Sequence, residues 1–154
     1  MTDQNDDYVK ILFKFYSNLL DEWTVENMWA EIVDTEKGLY KIDNIPFYAS
    51  IASDDIVFAE HDETEQRLTY RKTVEYSGNS TVQVVILDKS IATNDIRDIF
   101  NSLGCETEKF KEGYFVMNVP ADLDYKVIKK ALVEQEKLGI IDYAEPCLSD
   151  KHWD

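Results

Sequence analysis

Apolar and polar residues alternate at a spacing of two through most of the first half of the chain, the signature of half-buried β-strands. Residues 8–16, Tyr-Val-Lys-Ile-Leu-Phe-Lys-Phe-Tyr, predict a strand whose polar face is marked by Lys10 and Lys14. Residues 17–24 read as a connection, and residues 25–34 as a second strand. Glu36-Lys37-Gly38 is a turn in which Gly38 supplies a permissive backbone. Residues 39–42 return as a short strand, and Pro46 interrupts residues 43–48 to make a shaped loop. Residues 55–60 and 67–76 are two further strands, joined by an acidic hairpin tip, His61-Asp62-Glu63-Thr64-Glu65-Gln66. Five short strands with close turns predict a small β-barrel or a bent antiparallel sheet. Ser77-Gly78-Asn79-Ser80 gathers turn-prone residues, so the expected organisation is a β-rich subdomain at 1–79 and a second at 80–154.

The second half follows a different pattern. Residues 81–87 form an apolar strand. Thr93 is placed to cap a helix carrying Ile96, Ile99, Phe100 and Leu103 at helical spacing, with Gly104 ending it. Residues 105–110 and 114–119 are strands around the turn Lys111-Glu112-Gly113. Asp122 or Asp124 caps a second helix whose inner face runs through Val127, Ile128, Ala131, Leu132, Gln135 and Leu138. Residues 140–143 are the last strand, which Pro146 is expected to stop. The predicted order is β-α-β-β-α-β, the ferredoxin-like pattern, with both helices on one face of a four-stranded antiparallel sheet. The expected fold class is therefore α+β.

Composition narrows the function classes. The 154 residues are 44% hydrophobic and 12% aromatic, which supports a packed core and excludes an aromatic-poor disordered chain. Acids outnumber bases 31 to 16, for a net charge of −15. Such a chain is repelled by phosphate polymers and anionic membranes, and attracted to a basic partner. The same acidity also serves solubility. Residues 1–79 hold 17 acids against 7 bases, so the charge is concentrated in the β-rich half. No apolar run approaches the ~20 residues of a membrane span. The polar start, Met-Thr-Asp-Gln-Asn-Asp-Asp, is unlike an export signal, which makes the expected location cytoplasmic.

The residues that carry chemistry are sparse. Nucleophile elbows, phosphate loops, dinucleotide fingerprints and zinc-binding helices are all missing from the sequence. Cys105 and Cys147 form no metal-binding spacing and read as reduced, structural thiols. His61 sits among carboxylates at the hairpin tip, and His152 lies in the C-terminal tail. Asp54-Asp55 and Asp62, Glu63 and Glu65 match no calcium loop, so no metal and no cofactor are expected. They read as a solvated acidic face or a protein-binding patch. Trp29 is expected in the core, whereas Trp23 in a connection and Trp153 in the tail are candidates for exposure. Exposed Trp and Tyr are favoured interface anchors.

Several stretches resemble one bacterial family. They are Met28-Trp29-Ala30-Glu31, the run from Tyr40 to Ala49, and Asp54 with Val57, Ala59 and Glu60. Others are Ser77 to Thr81, Leu103-Gly104-Cys105, Val119-Pro120 followed by Asp124-Tyr125, and the ending from Tyr143 to Leu148. Together they resemble the domain-of-unknown-function family 4265, over roughly residues 8–148. Ile42 to Phe47 is the most specific part. The resemblance implies a small, stand-alone bacterial protein and brings no catalytic mechanism. From the residues themselves, Asp43 and Asn44 satisfy backbone amides of the loop while Ile45 and Phe47 plug it into the core; the alternative is that Asp43 and Asn44 line a ligand groove.

Small size, concentrated acidity and missing catalytic machinery lead to one expectation. The chain is an immunity protein that binds and neutralises a cognate toxin domain, a basic nuclease delivered between competing bacteria. Its expected contacts are Asp54, Asp55, Asp62, Glu63 and Glu65, with Trp23 as anchor. The alternative is a small-molecule-binding regulatory module built on the ferredoxin-like half. An enzyme using Cys105 or the paired acids is the third reading.

Overall fold

The computed structural model describes residues 7–17 and 20–153. The architecture is mixed α+β and rich in strands, with two α-helices among the described residues. The chain forms two compact units, Met1–Ser77 and Gly78–Asp154. Of the polar start read above, residues 1–6 lie outside the described residues.

Five strands build the first unit: β1 (Tyr8–Ser17), β2 (Glu22–Asp34), β3 (Leu39–Ile42), β4 (Ile56–Asp62) and β5 (Arg67–Glu75). Successive strands pair antiparallel. β1 lies along β2 from Tyr8–Glu31 to Ser17–Glu22 and meets β5 in parallel at one pair, Leu12–Thr69, which closes the sheet on itself. Inside it, Ile11, Phe13, Met28, Ala30, Ile42, Ile51 and Val57 form the core. Burying such side chains is the main stabilising term, about 1.5–3 kcal/mol for each large aliphatic or aromatic residue. At Gly38, φ is +72°, and an added Cβ would stand 2.9 Å from the Ala59 carbonyl oxygen. The β2–β3 turn therefore needs glycine there.

The expected connection at 17–24 is shorter than read. β2 already begins at Glu22, so Trp23 belongs to a strand. Asp21 makes the turn with φ +54°, and residues 18–19 of that connection lie outside the described residues. Trp29 is a second correction: it is 41% exposed, because its neighbours Met28 and Ala30 are the ones that point inward. The side-chain period of a strand sends adjacent residues to opposite faces.

Between β3 and β4 the chain makes a loop whose ends are pinned together. Ile42 N–H donates to the Asp55 carbonyl at 2.9 Å, and Asp54 N–H to the Ile42 carbonyl at 2.8 Å. Pro46, Ala49, Ile51 and Ala52 turn inward, whereas Ile45 and Phe47 are only half-buried. Asn44 accepts from the Trp29 amide at 2.6 Å, while Asp43 faces solvent. The Asn44 carbonyl oxygen thus serves β2 rather than the loop's own amides.

The second unit runs β6 (Ser80–Ile86), α1 (Thr93–Ser102), β7 (Glu106–Lys111), β8 (Tyr114–Val119), α2 (Tyr125–Lys137) and β9 (Ile141–Cys147), then a 3-10 turn at Asp150–His152. The sheet order is β7-β8-β6-β9, all antiparallel. Val82, Val84, Phe115 and Met117 share one cluster with Ile96 and Phe100 of α1 and Ile128 and Leu132 of α2. Both helices therefore cover the same face of this sheet.

Several boundaries differ from those read in the sequence. Ala92, not Thr93, occupies the helix-capping position, with no side-chain cap bond. The Thr93 hydroxyl instead donates to Glu112 at 2.9 Å and accepts from the Gly113 amide at 2.7 Å, tying α1 to the β7–β8 turn. Asp124 does cap α2, accepting from the Lys126 amide at 3.0 Å. Leu138, Val127 and Leu87 lie outside the core, 70%, 48% and 55% exposed. Pro146 does not stop the last strand. β9 is an edge strand, and its register with β6 shifts between Thr81 and Gln83, so the missing N–H of proline is tolerated there.

Candidate functional site

The strand parity of β2 creates the most prominent surface of the first unit. Trp23, Val25, Trp29 and Val33 all point outward, with Trp23 70% exposed. On β1, Tyr16 pairs with Trp23, Lys14 with Val25 and Lys10 with Trp29. The Tyr16 and Trp23 rings meet edge to face at 6.0 Å, and Tyr16 donates its hydroxyl to Asp21. Lys10 Nζ stands 5.1 Å from the centre of the Trp29 ring. These contacts hold two large rings in place while leaving much of their surface in water. Such rigid amphipathic rings lose little entropy on binding.

The acidic tip between β4 and β5 is tied to this face. Asp62 Oδ1 accepts from the Thr64 and Glu65 amides at 2.8 and 2.9 Å, and Oδ2 accepts from Arg71 at 2.9 Å. The Glu65 amide and Arg71 together hold the Asp62 carboxyl below its ordinary range. Arg71 also binds Glu60 at 3.1 Å. From the tip, Glu65 reaches Lys14 of β1 at 3.5 Å, and Arg67 reaches Asn27 of β2 at 3.4 Å. Asn27 lies on the outward face of β2, between Val25 and Trp29. The folding of the chain therefore joins the tip carboxylates to the aromatic stripe, a juxtaposition of residues far apart in sequence.

The expected contact residues do not all gather there. Asp62, Glu63 and Glu65 form the tip. Asp54 is exposed on the turn before β4, at the other end of that strand from the tip. Asp55 is 1% exposed and is not a surface contact at all. Its two oxygens accept from the Ala52 and Ser77 amides, at 3.1 and 2.8 Å. Burial pushes this carboxyl above its ordinary value, partly offset by those amide bonds. Asp55 is a clasp for the loop ahead of β4.

Glu26 escaped the sequence reading. Its carboxylate accepts from three consecutive amides: Phe47 at 2.7 Å, Tyr48 at 3.1 Å and Ala49 at 2.9 Å. The signal was present in β2, where Glu26 shares its parity with the buried Met28 and Ala30. An acid on the inward row needs partners.

His152 also corrects the sequence reading, because it is buried rather than loose in a tail, at 5% exposure. Its Nε2 lies 3.0 Å from the Pro120 carbonyl, and its Nδ1 lies 2.5 Å from Ser80 Oγ. Nearby is a cleft of about 540 Å³, bordered by Tyr125, Lys129, Glu145, Lys151 and Trp153. Tyr125 donates its hydroxyl to Glu145, and Lys129 donates to the other Glu145 oxygen at 2.9 Å. Burial and the neighbouring Glu145 carboxylate push the Tyr125 phenol above its ordinary value.

Cys105 is buried, and burial pushes its thiol up to about 12. A thiol at that value holds almost no thiolate near neutrality, and thiolate is the nucleophile. Iodoacetamide is therefore expected to modify the half-buried Cys147 in the native protein and to leave Cys105 intact until denaturant is added. Peptide mass analysis reads this directly, and native labelling of Cys105 would overturn it. Among the described residues, no group of three or more His, Cys, Asp and Glu could hold a metal ion. No helix among them is long and apolar enough to cross a membrane.

The family described as Domain of unknown function (DUF4265) matches residues 26–143. The chain belongs to this family. The DUF4265 match begins at Glu26 and takes in the loop from Asp43 to Asp55 that Glu26, Asn44 and Asp55 hold in place. Comparison with curated proteins returned no match. Among solved structures, this DUF4265 chain is similar to a hypothetical protein from Neisseria gonorrhoeae, whose crystal structure has been determined. The two are 26% identical, with a TM-score of 0.77, over 92% of this chain and 96% of the other.

Proposed function

We propose that this DUF4265 member is an immunity protein, which binds and neutralises a cognate bacterial toxin domain by covering its active surface. The observation that supports this reading is the outward face of β1 and β2, with Trp23 and Trp29 exposed and the Asp62, Glu63 and Glu65 tip tied beside them. A nuclease toxin must attract phosphate and so presents a basic surface. An acidic rim would steer that surface in and raise the association rate. Aromatic anchors would then supply most of the affinity. No chemistry is required of the inhibitor, so we read the protein as a non-enzyme acting in the bacterial cytoplasm. Nucleic acid and membrane are not among its proposed partners. In fold terms, we infer a small β-barrel followed by a ferredoxin-like unit.

The test is binding to the toxin domain encoded beside the gene, by calorimetry and by rescue of growth. Trp23→Ala is expected to weaken binding by about thirtyfold or more, the loss typical of a central anchor. Reversing Asp62, Glu63 and Glu65 to lysine is expected to slow association and to reduce its salt dependence. Failure to bind the neighbouring toxin would defeat the reading. Unchanged affinity in both variants would defeat the site. The second reading, a small-molecule-binding regulatory module, is favoured by the cleft beside Tyr125 and Trp153.

A further inference from the structure

We propose that the cleft formed by the start of α2, the end of β9 and the C-terminal turn binds a mononucleotide, its phosphate on Lys129 and Lys151 and its base on Trp153. The inference deepens the small-molecule reading and rests on nothing in the first unit. The volume of about 540 Å³ falls in the range that encloses small ligands.

The cleft is lined by three lysines, Lys126, Lys129 and Lys151, against two acids, Asp124 and Glu145, although the chain is strongly acidic. Glu145 is the carboxylate set deepest among them, and both its oxygens are already engaged, one by Tyr125 and one by Lys129. Its charge is thereby offset within the protein. Lys129 is held from two sides, by Glu145 and by the Tyr143 ring, whose centre lies 4.9 Å from Nζ. Burial works against its charge, but these partners outweigh it and hold the ammonium above its ordinary value. Lys151 approaches from the C-terminal turn, its stem passing Gly78, where an added Cβ would stand 3.3 Å from Cδ. Its ammonium forms no ion pair among the described residues. Lys151, unpaired among the described residues, and Lys129, shared with Glu145, bring two ammonium groups from separate elements to a phosphate.

The aromatic half of the ligand follows from Trp153. The indole N–H donates to the Leu148 carbonyl at 3.3 Å, which fixes one edge of the ring. Yet the residue is 67% exposed at the border of the cleft. A pinned ring with open surface beside cations is the combination by which proteins stack nucleobases and hold their phosphates. The net charge of −15 separates a mononucleotide from a polymer. Local cations govern a small anion within one Debye length, about 8 Å at physiological salt, whereas a strand would run out over acidic surface.

The experiment is calorimetric titration of the full chain with AMP, GMP, CMP and UMP, and with adenosine, inorganic phosphate and hexadeoxyadenylate. At least one mononucleotide is expected to bind with Kd below about 1 mM. Adenosine and phosphate alone are each expected to bind at least about tenfold more weakly, as are mononucleotides to Lys151→Gln and to Trp153→Ala. Both substitutions are at exposed side chains, and an unchanged thermal midpoint confirms their fold. Silence from all four mononucleotides would overturn the proposal, as would undiminished binding by both variants. Tighter binding of the oligonucleotide would overturn it in favour of a single-strand site. Loss of toxin binding leaves these titrations unaffected, so the two readings fail separately.

Discussion

Glu26→Ala is expected to destabilise the protein by about 3 kcal/mol, the value anticipated when hydrogen bonds to a charged group are lost and their partners stay half-buried. Three successive amides, at Phe47, Tyr48 and Ala49, converge on this carboxylate. Ala49 is 3% exposed, so water is a poor substitute there. The carboxylate also cannot be mimicked by its amide. A glutamine side chain would keep one acceptor oxygen but turn an NH2 group toward an N–H donor. Glu26→Gln is therefore expected to recover less than half of the loss. Urea denaturation midpoints measure the ranking of wild type and the two variants. Amide hydrogen exchange locates the effect, since protection at Phe47 to Ala49 should fall before that of β1 and β2. An alanine variant with an unchanged midpoint would show that the loop is held by other means.

His152→Ala is the second large effect, again about 3 kcal/mol, combining a cavity with stranded polar groups. The hydrogen-bond pattern fixes the ring's tautomer. The Pro120 carbonyl can only accept, so Nε2 carries the proton and donates to it. In the neutral ring Nδ1 then accepts from the Ser80 hydroxyl, whose oxygen in turn accepts from the Ser149 amide at 2.8 Å. Every donor in this chain has one acceptor. The ring also packs against Tyr125, with centroids 5.4 Å apart. Ser80 is fully buried behind the ring, so its hydroxyl loses its protein acceptor when the ring is gone. A double-mutant cycle with Ser80→Ala is expected to return a coupling of about 1 kcal/mol or more. Strict additivity would show that the two residues act independently.

Much of the secondary structure was legible because strand and helix periods differ. The errors have physical causes. Trp29 is large and apolar, which argued for the core, but parity outranks hydrophobicity in a strand whose neighbours are already committed inward. Pro146 read as a terminator because a ladder bond is missing there, yet at an edge with a shifted register that bond is not needed. The acidic tip was recognisable as a run of carboxylates. Its tether to Lys14 and Asn27 was not, because strand pairing, rather than local sequence, brings them together. The same holds for Glu26 and for His152, whose partners are distant in the chain. Asp55 shows the converse. Beside Asp54 it looks like half of a paired acid, and only the fold separates one buried clasp from one exposed charge.

The closure of the first sheet at Leu12–Thr69 has a consequence for how that unit assembles and yields. The β1–β2 and β4–β5 pairings join strands adjacent in sequence, so their loop-closure entropy is small and they form early. The parallel contact joins the two most distant strands through one ladder pair and the stacked Phe13 and Tyr70 rings, so it closes late. Force applied between β1 and β5 would part them there first, leaving both hairpins intact. The unit would lengthen by opening before it unfolds.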